Sequence, residues 1–277
     1  MAFLDQLSFG RVILGVGPGI LASDSRLFGM DPEAQRPMMG ESLEIIMKLL
    51  REDGPVSYEG KYWTVNGMEL QVKPYQDPMP VAVASSGKGI TQELIAKYGL
   101  SMLTGNFFGE AQGEALGQRW HDLEDAATVV GNKVDRSEWR IATHVYVADS
   151  NEEAFADIEA GAQRQIGDYF YNLGSRQTLE PYRTLPGGKV DVERLAGDAS
   201  WIIGDPDYCA RRIEQMNNDT GGFGGLLMIA GEWSTREKWL KSMDLFARHV
   251  APRFKKFMGA PQRAFQKLVE FNDSGNG

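Results

Sequence analysis

The feature that most restricts this chain is an alternation of short apolar runs, bounded by turns, with longer stretches of helical periodicity. Five runs have this character, at residues 12–16, 81–84, 100–104, 141–148 and 226–230. They are continuously apolar rather than alternating, which predicts strands buried on both faces, as in a parallel sheet. The first helical stretch covers residues 32–50, with Met39, Leu43, Ile46 and Leu50 on one stripe. Asp31 suits its N-cap, and Pro32 its first helical position. A second helix, residues 90–98, ends at Gly99, a left-handed C-cap. Ser150 with Glu153, and Ser234 with Glu237, read as capping boxes. Asp205-Pro206 opens a helix that reaches about Met216. Strand and helix in strict succession predict an α/β protein, and 277 residues suit one domain spanning 1–277.

Two stretches interrupt the alternation. Residues 56–65 read as a hairpin turning at Glu59-Gly60. Residues 172–200 lack a strong period, contain Pro181, Pro186, Gly187 and Gly188, and offer few apolar anchors. Loops of that length are functional or mobile, so this segment is expected to be a lid.

Charge and cysteine content narrow the function. A net charge of −9 repels nucleic acid and anionic lipid, so neither is an expected partner. The single cysteine, Cys209, permits no intrachain disulfide and no cysteine metal cluster, which fits a reducing cytoplasm. Its neighbours Tyr208, Ala210 and Ile213 make it a small helix hydrophobe. The longest apolar stretch, residues 12–22, is broken by glycines and a proline and is too short to span a bilayer. His121, His144 and His249 have no metal-site spacing, so no metal is expected.

Three segments could hold a ligand. Gly15-Val16-Gly17-Pro18-Gly19 ends the first strand, and glycines there let the backbone approach a ligand closely. It is neither a dinucleotide fingerprint nor a nucleotide-hydrolase phosphate loop, and a tight structural turn explains it equally well. Ser85-Ser86-Gly87-Lys88 lies between a strand and a helix, where free N–H groups and hydroxyls make an anion site; an N-cap with a glycine turn is the plainer alternative. Arg36 begins a helix with an otherwise apolar face. Arginine grips phosphate in bidentate fashion, but a surface salt bridge with Glu33 is the simpler account.

The ordered series of these segments resembles a family. Gly10 through Gly19, then Phe28-Gly-Met-Asp31, Gln35-Arg36 and Glu41-Ser-Leu-Glu44, resemble the fourth βα unit of luciferase-like flavin monooxygenases. Val72-Lys-Pro through Ser85 resembles the passage into that family's fifth strand, and Gly204-Asp-Pro-Asp207 with residues 226–233 resembles its last unit. The resemblance implies a TIM (β/α)₈ barrel, incomplete here, with about strands four to eight and without the N-terminal third. It further implies that the segments after strands four and five hold the FMN phosphate, through Gly17, Gly19, Arg36, Ser85, Ser86 and Gly87. Luciferase has a second arginine where this chain has Pro18, so the grip must differ or lean more on backbone N–H groups and Lys88.

On the same resemblance the activity is insertion of one oxygen atom from O₂ into a small organic substrate, using reduced FMN from a separate flavin reductase. A deazaflavin-dependent oxidoreductase and a non-catalytic flavin-binding or subunit protein are the alternatives. A homodimer is expected if the upstream part is present. The barrel reading puts Glu232 and Trp233 on the active face as substrate-pocket candidates. His144, alternating with Tyr146 on one side of its strand, could reach the ligand or be a buried structural histidine. No catalytic residue is assigned. Gly221 to Gly225 precedes its strand and belongs to the opposite face.

Overall fold

Each of the five apolar runs forms a strand in the computed structural model, which describes residues 1–19, 21–105 and 113–257. The elements run α1 (Ala2–Ser8), β1 (Leu14–Val16), α2 (Ala22–Leu27), α3 (Gln35–Arg51), β2 (Val56–Glu59), β3 (Thr64–Met68), β4 (Val81–Ala84) and α4 (Gly89–Tyr98). Next come β5 (Ser101–Gly105), α5 (Gly113–Val129), β6 (Arg140–Val147) and α6 (Asn151–Ala162), which continues into a π-helix, Gln163–Ser175. Then follow α7 (Arg176–Leu179), α8 (Val192–Asp198), β7 (Ile202–Gly204), α9 (Pro206–Thr220), β8 (Gly225–Ile229) and α10 (Arg236–Leu245).

Six strands make one sheet in the order β1-β4-β5-β6-β7, with β8 also paired to β6, and every pairing is parallel. Among the described residues no order reversal of the Rossmann type occurs. Strand β6 is shared: residues 140–142 pair with β5, residues 140–144 with β8 and residues 145–147 with β7. Among the described residues β1 and β8 do not pair with each other, so the sheet stays open. Strand β7 leaves no signal in the sequence, because its three residues are too few to show a period, although all three are buried.

Two apolar clusters hold the layers together. In the larger, Leu43 and Met47 of α3, Ile95 of α4, Leu116, Trp120 and Leu123 of α5 and Cys209 and Ile213 of α9 pack on Val81, Val83, Met102, Ile141, Val145 and Val147. Each fully buried aliphatic side chain there contributes about 1.5–3 kcal/mol. Met39 and Leu43 of the α3 stripe are buried as expected, but at the next turn Met47 is buried and Ile46 is only partly covered. The Cys209 thiol is buried, and desolvation pushes its pKa up to about 12, so it packs rather than reacts.

The second cluster corrects the expectation of few anchors in residues 172–200. Leu179, Val190, Val192, Leu195, Ala196 and Ala199 all pack with Ala154, Ile158, Ile166 and Trp201. Isolated apolar residues on short helices lack a period but still find a common core. Tyr146 ties this cluster to α6 by donating to Asp157 Oδ2 at 2.9 Å.

Local signals hold with small shifts. Ser150 accepts from the Glu153 N–H at 3.1 Å and Asp205 from Tyr208 at 2.7 Å. The helix from Pro206 runs to Thr220, past Met216. At the last helix the cap is Thr235, which accepts from Lys238 at 3.3 Å, rather than Ser234. The hairpin forms, but its turn spans residues 60–63 rather than Glu59-Gly60, because Glu59 still pairs with Thr64. Its tip is held from α3: Glu41 accepts from the N–H groups of Tyr62 at 2.8 Å, Lys61 at 2.9 Å and Trp63 at 3.2 Å. Desolvation raises the Glu41 pKa, but these three donors outweigh it and hold the carboxyl below its ordinary range.

Candidate active site

Parallel sheets flanked by helices bind ligands beyond the carboxyl ends of their strands. A cavity of about 600 Å³ lies there, lined by Gly17, Pro18 and Gly19 after β1, by Arg36, by Ala84, Ser85, Ser86 and Lys88 after β4, and by Leu103, Gly105 and Ala142. The structure therefore brings together Gly17, Gly19, Arg36, Ser85 and Ser86, residues up to 69 positions apart in sequence (86 − 17). Gly87 is buried and does not line the cavity.

The loop after β4 is built from its own hydrogen bonds. Ser85 is buried, its N–H bound to the Leu103 carbonyl at 2.9 Å. Its hydroxyl lies 2.8 Å from Thr91 Oγ1 and accepts from the Gly87 N–H at 2.9 Å. Gly87 and Gly89 have φ of 76° and 62°, in the left-handed region that favours glycine. Helix α4 then begins with Lys88 as N-cap and no side-chain cap on its first N–H groups. Those groups and the helix dipole favour an anion.

Charge makes the same case. Arg36, Lys88 and Arg119 all line the cavity, and among the described residues no carboxylate does, in a chain whose net charge is −9. Arg36 is exposed and forms no hydrogen bond or ion pair among the described residues, so the salt bridge with Glu33 is not made. Gly17 lies close under Ala84, where an added Cβ would sit 3.0 Å from Ala84 Cβ. Arg119, in α5, carries no signal in the sequence that marks it for the cavity. Its helical neighbours Leu116, Trp120 and Leu123 form an apolar stripe, and nothing in that pattern tells which flanking polar residue leans toward the sheet.

The other candidates lie elsewhere. His144 and Trp233 meet with ring centroids 4.2 Å apart, and Trp201 stands 4.7 Å from the histidine and 5.0 Å from Trp233. All three are buried and none lines the cavity. Burial lowers the His144 pKa to about 3, so the ring is neutral at physiological pH. Trp233 donates to Gln165 Oε1, and its backbone crowds Gly161, where a Cβ would lie 2.1 Å from Trp233 Cα. Glu232 is exposed beside them. This arrangement supports the structural reading of His144. Among the described residues no group of three or more His, Cys, Asp or Glu could hold a metal, and no helix is long and apolar enough to cross a membrane. A second cavity of about 560 Å³, lined by Phe223, Leu226, Met228, Phe246 and Phe254, adjoins the start of β8 and is mainly apolar.

Comparison with known proteins places this geometry in context. The family model described as "Luciferase-like monooxygenase" matches residues 1–224. The chain is 34% identical over 257 residues to 4-hydroxyprotoasukamycin monooxygenase of Streptomyces nodosus subsp. asukaensis, covering 91% of this chain and 67% of that protein. It is 30% identical over 275 residues to limonene 1,2-monooxygenase of Rhodococcus erythropolis, covering 99% and 69%. In structure it is similar to the oxygenating constituent of 3,6-diketocamphane monooxygenase of Pseudomonas putida, solved in complex with FMN, with a TM-score of 0.70, 24% identity and coverage of 91% and 73%.

Proposed function

The chain belongs to the luciferase-like monooxygenase family of flavin-dependent oxidoreductases, and from that premise we propose that it holds reduced FMN by its phosphate in the cavity between β1 and β4. The supporting observation is the convergence of three cations and an uncapped helix start on a cavity that, among the described residues, no carboxylate lines, in an acidic protein. A terminal phosphate dianion fits that donor set: a guanidinium from one side, backbone N–H groups from the other, and glycines that admit close approach. Reduced flavin supplies the two electrons with which O₂ is split, one oxygen atom passing to an organic substrate and the other leaving as water.

The chain's own contribution is to bind and orient. Arg36 and Lys88 neutralise the phosphate, while the loop of Ser85 and Ser86 and the turn of Gly17 to Gly19 fix its place between neighbouring βα units. With the phosphate anchored there, Leu103 and Ala142 would offer the rest of the cofactor an apolar surface. The glycine spacing at Gly15 to Gly19 departs from the dinucleotide fingerprint, which supports delivery of reduced flavin by a separate reductase.

The test is a titration of wild type and Arg36→Ala with FMN and with riboflavin, which lacks the phosphate. Charge-assisted hydrogen bonds of this kind are worth roughly 1.5–3 kcal/mol, so the substitution should weaken FMN by about ten- to a hundredfold and leave riboflavin nearly unchanged. Unchanged FMN affinity in the folded variant, or equal loss for both ligands, would show that this is not the phosphate site. Tighter binding of a deazaflavin cofactor in the same titration would favour the deazaflavin reading instead.

A further inference from the structure

We propose that Arg119 is a positioning residue for the phosphate loop, acting through the Ser86 carbonyl; this rests on the phosphate reading of the cavity. The residue belongs to the next βα unit, yet its guanidinium reaches back and Nη1 donates to Ser86 O at 2.6 Å. Its aliphatic stem lies flat against Gly87: a Cβ on that glycine would stand 2.8 Å from Arg119 Cβ and 3.0 Å from Arg119 Cδ. Gly87 is thus required twice, by its φ of 76° and by the stem that occupies the side-chain position.

The consequence is orientational. A peptide unit is planar, so fixing the Ser86 carbonyl also fixes the Gly87 N–H, which points the opposite way and meets Ser85 Oγ at 2.9 Å. Ser85 is itself locked by Thr91 and by the Leu103 carbonyl. Arg119 closes this circuit from outside the loop. With the carbonyl turned toward the guanidinium, its partial negative charge is neutralised rather than facing an anion. The N–H groups at the start of α4 are then left to face the cavity. Arg36 supplies a grip on the ligand; Arg119 holds the surface against which the ligand is gripped.

Three variants test this by equilibrium binding of FMN and riboflavin, at low and at high salt: Arg119→Met, which keeps the stem and removes the donor, Arg119→Lys, which restores a donor, and Arg36→Ala. Thermal unfolding is followed alongside, and Arg119 is only half-buried, so its variants should fold. Arg119→Met is expected to weaken FMN about tenfold at both salt concentrations with little change for riboflavin. Arg119→Lys should recover most of the loss. If Arg119→Met binds FMN as wild type does, or loses both ligands equally, the positioning role is wrong. If its defect vanishes at high salt, where exposed charges are screened, Arg119 acts by charge alone and the carbonyl anchor is wrong. The phosphate reading fails separately, and this proposal with it, if wild type does not distinguish FMN from riboflavin and Arg36→Ala has no effect.

Discussion

The cavity after β1, β4 and β5 and the aromatic cluster over β6 differ in nearly every physical respect, yet they are neighbours. Ala142, which lines the one, and His144, at the centre of the other, are consecutive residues on the same face of one strand. Around the first are glycines, hydroxyls and three cations open to water; around the second are two tryptophans that exclude it. Arg36 in the cavity forms no hydrogen bond or ion pair among the described residues and is ready for a ligand. A titratable ring in the cluster is held neutral by desolvation. The difference teaches that position at the carboxyl end of a strand is not enough to make a site. Solvent access and unspent hydrogen-bonding capacity decide it.

If that contrast is right, substitutions in the cluster should cost stability and those in the cavity should cost affinity. The largest effect is expected for Trp233→Ala, which should lower unfolding free energy by about 3–5 kcal/mol in urea titration, with FMN affinity of the folded protein unchanged. A clear loss of FMN affinity would instead return Trp233 to the ligand pocket.

Acid should expose the cluster next. The folded-state pKa of His144 lies below its unfolded value of about 6.5, so the unfolded chain binds more protons and stability rises with pH between about 3 and 6.5. Stability from this group is complete above the unfolded pKa. It should fall by about 2 kcal/mol between pH 8 and pH 5, a range in which ordinary carboxylates contribute little. Denaturant curves for wild type and His144→Phe at those two pH values measure it; an equal acid sensitivity in both would remove His144 as the cause.

Ser85 stands between the two regimes, being polar, buried and part of the cavity wall. Ser85→Ala strands the Gly87 N–H and one contact of Thr91, so it should lose about 1 kcal/mol of stability together with a few-fold of FMN affinity. The smallest stability effect belongs to Arg36→Ala, expected to stay within about 0.5 kcal/mol of wild type because the exposed guanidinium has no partner within the described residues. A larger loss there would mean that Arg36 is structural and would blur the contrast.

How much of this was legible in the sequence follows from the range of the forces involved. Apolar runs such as residues 81–84 announce buried strands because burial acts on each residue directly, and Gly99 or Ser150 announce helix ends because capping is local. Strand β7 is silent because three residues carry no period, and the apolar anchors within residues 172–200 escape notice because they are spaced by tertiary packing alone. The cavity residues Arg36, Ser85 and Ser86 were found through family resemblance added to local chemistry. Arg119 was not, since its role depends on a hydrogen bond across 33 residues to a backbone carbonyl, which leaves no trace in residue type.

The sharing of β6 among three partners also constrains how the chain can be made. During synthesis β1, β4, β5 and β6 can assemble once residue 147 has emerged, but the β8 partner of residues 140–144 follows only at residues 225–229. For that interval of nearly eighty residues one flank of β6 carries unpaired N–H and C=O groups, an edge to which another nascent chain can add. The pairing of β6 with β8 is therefore the last ladder in chain order, and its delay keeps that edge open until residue 229 has emerged.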